Sequence, residues 1–138
     1  MPHELHLIRA GRFIRSGPEG SLDLETGAAV LRSLAEALVS RSVDKAILDV
    51  RRMRIVPPAT YTQLGHLARA FREAGFGARH RLAVVVSPDR YDKADFFAVS
   101  AAGCGWNAFA FDDFEEAFEW LTEEERIGAP TDELKSGD

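Results

Sequence analysis

Eight side chains carry the chemistry that this sequence could perform. Asp49 stands inside the apolar run Ala46-Ile47-Leu48-Asp49-Val50, and Arg51, Arg52 and Arg54 come directly after it. A carboxylate among aliphatic neighbours is unfavourable unless it accepts hydrogen bonds or lies on an exposed strand face. Two roles fit Asp49: accepting bonds from nearby backbone and arginines, or standing beside a ligand cleft at the C-terminal end of a parallel strand. Arginine forks match phosphate and carboxylate groups. On a continuing strand, however, Arg52 and Arg54 share one face and Arg51 takes the other. The three cannot clamp one anion and read as rim residues. Thr60 follows Pro57-Pro58-Ala59 at the start of a helical pattern. A phosphate added there would meet the favourable end of a helix dipole, which makes Thr60 a candidate for phosphorylation. Ser87-Pro88-Asp89-Arg90-Tyr91 closes the next apolar run. Ser87 or Asp89 is expected to cap the following helix. With Asp49, Arg51 and Thr60, this turn could also line one edge of the sheet. Phe96 and Phe97 are adjacent on that helix and cannot both point inward, so one is left for a ligand pocket or a partner face.

Other chemistry is excluded by residue type and spacing. His3 and His6 fall on opposite sides of an extended strand, His66 lies on a helix and His80 in a turn, so no metal-ligand set forms and no metal or other cofactor is expected. Cys104 is flanked by Gly103 and Gly105 with no positioned base, and it reads as a small buried or half-buried thiol. No GxSxG, P-loop or GxGxxG stretch is present. A phosphoaspartate receiver needs an acidic pair after its first strand and a lysine after its last. Ala10-Gly11-Arg12 and Asp112-Asp113 stand at those places. With no catalytic constellation, a non-enzymatic role is expected.

Composition narrows the class. The chain has 138 residues, 46% hydrophobic and 28% charged, which suits one globular domain. Net charge is −5 but uneven: residues 1–90 hold 14 Lys and Arg against 9 Asp and Glu, and residues 91–138 hold 3 against 13. The arginines are scattered over several elements without interleaved aromatics, so no nucleic-acid partner is expected. No apolar run approaches the ~20 residues of a membrane span. The N-terminal MPHELHLIRAGRF has no signal-peptide core. One cysteine gives no intramolecular disulfide. Together these point to a cytoplasmic protein.

The elements that would position these residues follow from periodicity. Residues 4–16 read as a strand or hairpin, and Ser16-Gly17-Pro18-Glu19-Gly20 as a turn. Leu24, Ala28, Leu31, Leu34, Ala35 and Leu38 recur at helical spacing over residues 24–41, with Asp23 as N-cap. Residues 44–51 form a buried strand, and residues 59–74 a helix entered from Pro57-Pro58 and stopped by Gly75 and Gly77. Leu82-Ala83-Val84-Val85-Val86 is continuous rather than alternating, so both its faces are covered. A helix over 91–102, a strand Asn107–Phe111 and a fourth helix capped by Asp112-Asp113 complete the domain at about residue 123. Residues 124–138 are expected to be a flexible acidic tail. This alternation predicts an α/β fold with a mixed, mostly parallel sheet of four to five strands covered by about four helices.

Three passages, AILDVRRM, RLAVVVSPDRYDKADFFA and FAFDDFEEAFEWL, resemble the SpoIIAA-like family, relatives of the STAS and SEC14-like domains that include anti-sigma factor antagonists. The resemblance spans about residues 5–122. It implies an interaction or regulatory module that binds a protein partner or associates with itself as a homodimer. In the antagonists, a serine in an Asp-Ser-Ser-Gly-like stretch after the central strand is phosphorylated by a partner kinase. The matching stretch here is RIVPPATYTQLG, in which Pro57, Pro58 and Ala59 replace that motif and Thr60 and Thr62 are the nearest hydroxyls. The SEC14 side of the resemblance implies an alternative, a carrier of a small apolar molecule or lipid. Its pocket would lie at the strand C-termini, framed by Asp49, Arg51, Thr60, Ser87 and Tyr91, with Phe96 or Phe97 as apolar wall.

Overall fold

The structure is a computed structural model that describes residues 5–8 and 13–122. His3 and the expected tail at 124–138 lie outside the described residues. Along the chain come β1 (Leu5–Ile8), β2 (Phe13–Ser16), β3 (Gly20–Leu22), α1 (Leu24–Ser40), β4 (Lys45–Asp49), β5 (Met53–Ile55), α2 (Tyr61–Glu73) and β6 (Arg81–Val85). A 3₁₀ turn at Pro88–Arg90, α3 (Tyr91–Gly103), β7 (Asn107–Phe111) and α4 over 114–122 follow. The five-stranded sheet has the order β1-β2-β4-β6-β7. β1 runs antiparallel to β2, and every other neighbouring pair is parallel. The two apolar runs lie side by side at its centre, Ala46 in register with Leu82 and Leu48 with Val84. The fold is the expected α/β arrangement.

Local chemistry sets the element ends. Asp23 caps α1, its carboxylate accepting the Thr26 N–H at 2.7 Å. Thr60 and Gln63 form a reciprocal capping box at the start of α2: Thr60 Oγ1 accepts from Gln63 N–H at 3.1 Å, and Gln63 Oε1 from Thr60 N–H at 2.9 Å. Gly75 ends that helix region at φ +118°, a conformation that a side chain would strain. Asp113 accepts the Glu115 N–H at 3.0 Å at the start of α4. The expected cap of α3 by Ser87 or Asp89 is not formed. The chain enters α3 through the 3₁₀ turn, and neither side chain bonds a helix N–H.

The sequence reading also lacks one element. β3 and β5 form a two-stranded parallel ribbon, Gly20 in register with Met53 and Leu22 with Ile55. It is closed by Gly20 N–H to Arg52 O at 2.9 Å and Val56 N–H to Leu22 O at 2.8 Å.

The parallel strands succeed one another in one direction across the sheet. Crossovers of one hand then put α1, α2 and α3 on the same face. That face buries Ile14, Ala46, Leu48, Leu82 and Val84 against residues such as Leu34, Leu38, Phe71 and Phe97. The opposite face buries Phe13, Ile47, Ala83, Val85 and Phe111 beneath Ala117 and Leu121 of α4. At the N-terminal end of the parallel strands, the three-helix layer is filled by rings. Phe71 stacks on Trp106 with centroids 5.0 Å apart, and Phe76 meets Trp106 edge-on at 5.0 Å. The indole N–H donates to Ala68 O at 2.9 Å.

Candidate functional site

The other end of the same layer is open. A cleft of about 530 Å³ lies between the C-terminal ends of β4 and β6 and the first turns of α1, α2 and α3. This volume is in the range of small-molecule sites. Its floor is Leu48, Val50, Val84 and Val86; Leu31, Leu64, Ala94 and Phe97 reach it from the helices. Small residues there, Gly27, Ala28, Ala59 and Ala94, leave the volume that the aromatic end fills. Gly27 also gives room to Ile55, whose Cδ1 would have to shift to admit a Cβ at this position.

The roof is the segment from Met53 to Ala59, which includes β5 and is absent from any simple βαβ unit. Two cations from the start of α3 hold it. Arg90 donates from Nη1 to Met53 O at 2.7 Å and from Nη2 to Val50 O at 3.0 Å and Arg51 O at 3.2 Å. Lys93 Nζ donates to Ala59 O at 2.5 Å. Charge-assisted donors satisfy these carbonyls, and Val50 O also accepts the Met53 N–H at 3.2 Å. The mouth is marked by the exposed lining residues Arg54, Pro58, Tyr61, Asp89 and Asp92. The Asp89 carboxyl sits below the ordinary aspartate range, held there by the Ser87 hydroxyl first and by the charges of Arg90 and Arg54.

Of the eight residues singled out by sequence, Asp89 and Phe97 line this cleft. Asp49 and Arg51 do not frame it, which corrects the single-edge arrangement. Side chains alternate along a strand, so Leu48 and Val50 face the cleft layer while Asp49 points to the α4 face. There Asp49 accepts Arg51 Nε at 2.9 Å, Arg51 Nη2 at 2.8 Å and the Arg51 N–H at 3.1 Å, with Arg15 Nη2 3.8 Å away. Burial pushes the Asp49 carboxyl up. The Arg51 hydrogen bonds and the two guanidinium charges outweigh burial and hold it below its usual range. Thr60 is at the rim with its hydroxyl engaged in the capping box. Ser87 Oγ accepts Arg90 Nε at 3.3 Å, which steadies the roof clamp rather than the cleft wall. Tyr91 belongs to a separate hollow of about 290 Å³, lined also by Phe109, Phe111 and Glu116. Phe96 points outward, 37% exposed, and meets Tyr61 edge-on at 4.9 Å.

The three arginines after β4 diverge: Arg51 turns to Asp49, Arg52 lies 3.5 Å from Glu19, and Arg54 stands at the cleft mouth. Sequence reasoning missed Arg90 and Lys93, whose carbonyl partners Met53 and Ala59 lie 37 and 34 residues away along the chain. Among the described residues, no group of three or more His, Cys, Asp or Glu side chains could hold a metal ion, and no helix is long and apolar enough to cross a membrane. Comparison of the chain with protein-family models, with curated proteins and with solved structures finds no match.

Proposed function

We propose that this protein is a non-enzymatic binding module that holds a small, largely apolar molecule in the cleft between the sheet and the first turns of α1, α2 and α3. The observation that carries this reading is the cleft itself: about 530 Å³ with an aliphatic floor, in a layer whose other end is densely packed. Nothing in the α/β arrangement requires that void. Its roof is an added ribbon clamped by dedicated cations. A cytoplasmic carrier or ligand-sensing role fits such a site. Native mass spectrometry of protein purified without detergent or organic solvent tests it, together with added octan-1-ol as an aliphatic probe. Wild type is expected to retain a small compound or to take up the probe, and Ala94→Leu, which fills the cleft, to do neither. A wild type that carries nothing and takes up no octanol overturns the reading.

A second reading, the SpoIIAA-like regulatory module, is favoured by the exposed apolar group of Tyr61, Phe96 and Val99 on α2 and α3, which are 48%, 37% and 63% exposed. Such a group suits a protein partner or a second copy of the chain. Phosphorylation of Thr60 would fall beside it, and would replace a hydroxyl that already accepts the Gln63 N–H. Sedimentation equilibrium of wild type and Phe96→Ser tests the homodimer: self-association lost in the variant supports it, and a monomeric wild type contradicts it.

A further inference from the structure

The charges on the cleft are not placed at random. Five charged side chains line it, Arg54, Arg90 and Lys93 against Asp89 and Asp92. Their hydrogen-bonding capacity is unequal. Arg90 is spent on three backbone carbonyls and the Ser87 hydroxyl. Lys93 uses one of its donors on Ala59 O and keeps the others. Arg54 makes no hydrogen bond or close ion pair among the described residues; its guanidinium acts on Asp89 through charge alone. Asp89 is itself compensated by the Ser87 hydroxyl and by Arg90. What remains for a ligand is two cations with unused donors, Arg54 on the roof and Lys93 on α3, in excess over the one remaining carboxylate, Asp92. Below them the wall is aliphatic and aromatic.

We infer that the ligand is an amphiphile with an anionic head, its carboxylate or phosphate met by Lys93 and Arg54 at the mouth and its apolar chain lying over Leu48, Val84, Met53 and Phe97. This inference rests on the reading of the cleft as a ligand site.

Isothermal titration at pH 8 with three probes of one chain length, octanoate, octan-1-ol and octylamine, tests the assignment. Octanoate is expected to bind about tenfold more tightly than octan-1-ol, the worth of a charge-assisted bond in a partly solvated site, and octylamine more weakly than either. Lys93→Met and, independently, Arg54→Gln are expected to abolish the preference for octanoate over octan-1-ol when both probes are measured on the same variant. Octanoate and octan-1-ol binding equally, or octylamine binding best, overturns the anionic head and leaves the cleft as a site. None of the three binding overturns the cleft reading as well. Should Lys93→Met not fold, Arg54→Gln with a salt titration decides: octanoate affinity that falls with salt in wild type and not in the variant supports the assignment, and affinity indifferent to salt in both contradicts it.

Discussion

The two ends of the three-helix layer are built from the same elements and put to opposite uses. At the N-terminal end of the strands, Trp106, Phe71 and Phe76 are each about 1% exposed and interlock through stacked and edge-on contacts. At the C-terminal end, the same helices and strands present Gly27, Ala28, Ala59 and Ala94 to a void of about 530 Å³. Aromatic bulk at one end holds the helices against the sheet, and its absence at the other leaves room that water or a ligand must occupy. The layer therefore separates stability from binding along its length. Phe97 marks the boundary. Its ring lies 6.0 Å from Phe71 and 5.8 Å from Trp106, and it also lines the cleft.

This division is best broken at the filled end. Trp106→Ala removes the largest buried side chain and leaves the Ala68 carbonyl without its indole donor. It is expected to lower unfolding free energy by about 3–5 kcal/mol in a urea titration. A loss under about 1 kcal/mol would show that the aromatic end does not carry the layer. Arg90→Met is next. It removes the guanidinium donor from the Arg51 and Met53 carbonyls and leaves Val50 O only the Met53 N–H, in a half-buried setting, and is expected to destabilise by about 1–3 kcal/mol. Its distinguishing readout is hydrogen exchange, accelerated at the amides of residues 53–59 and unchanged in β6. Acceleration throughout the sheet would mean that the roof is not a separate unit.

The filled end also carries a pH dependence of its own. His80 is 6% exposed, stacked on Phe76 at 4.5 Å, and accepts the Gly77 N–H at Nδ1 at 3.0 Å. Burial lowers its pKa. Asp44 opposes the shift and Arg79 reinforces it. A folded pKa below the unfolded value of about 6.5 means that the native state binds the proton less readily. The stability contributed by neutral His80 is present above that value and is lost as pH falls through the lower folded pKa. The urea midpoint is therefore expected to drop between pH 7.5 and pH 5.5, and His80→Gln, which keeps an acceptor for Gly77, to reduce that drop. An equal drop in the variant would assign the dependence elsewhere. The smallest effect on stability is expected from Ala94→Leu, within about 1 kcal/mol of wild type, because the added methylenes enter existing space. A large loss would show that the space is not there in solution.

Much of this contrast was legible in the residues and some was not. The apolar runs of β4 and β6 are long and rich in Ile, Leu and Val, so the central strands, their burial on both faces and the intervening helices follow directly. Asp23 as cap of α1 and Gly75 as terminator of α2 carry their signals in residue type. The ribbon of β3 and β5 does not, since three-residue strands without alternation, set among Gly, Pro and Arg, leave no period to detect. That omission hid the roof of the cleft. Placing Asp49 and Arg51 beside Ser87 and Tyr91 failed for a related reason. Position at the end of a strand is legible in the residues, but the period of two sends Asp49 away from Leu48 and Val50. Asp89 and Phe97 reached the site because the turn after β6 and the inward face of α3 both open onto it. Arg90 and Lys93 act through backbone carbonyls far along the chain, which no local pattern announces.

The most direct test of the central claim is a methyl-resolved NMR titration of the full chain with octanoate. The account predicts saturable shifts at the methyls of Leu31, Leu48, Val50, Val84 and Val86, with those of Ile14, Leu34 and Leu82 at rest. Shifts confined to exposed Val39 and Val99, or none at the five cleft residues, would contradict it.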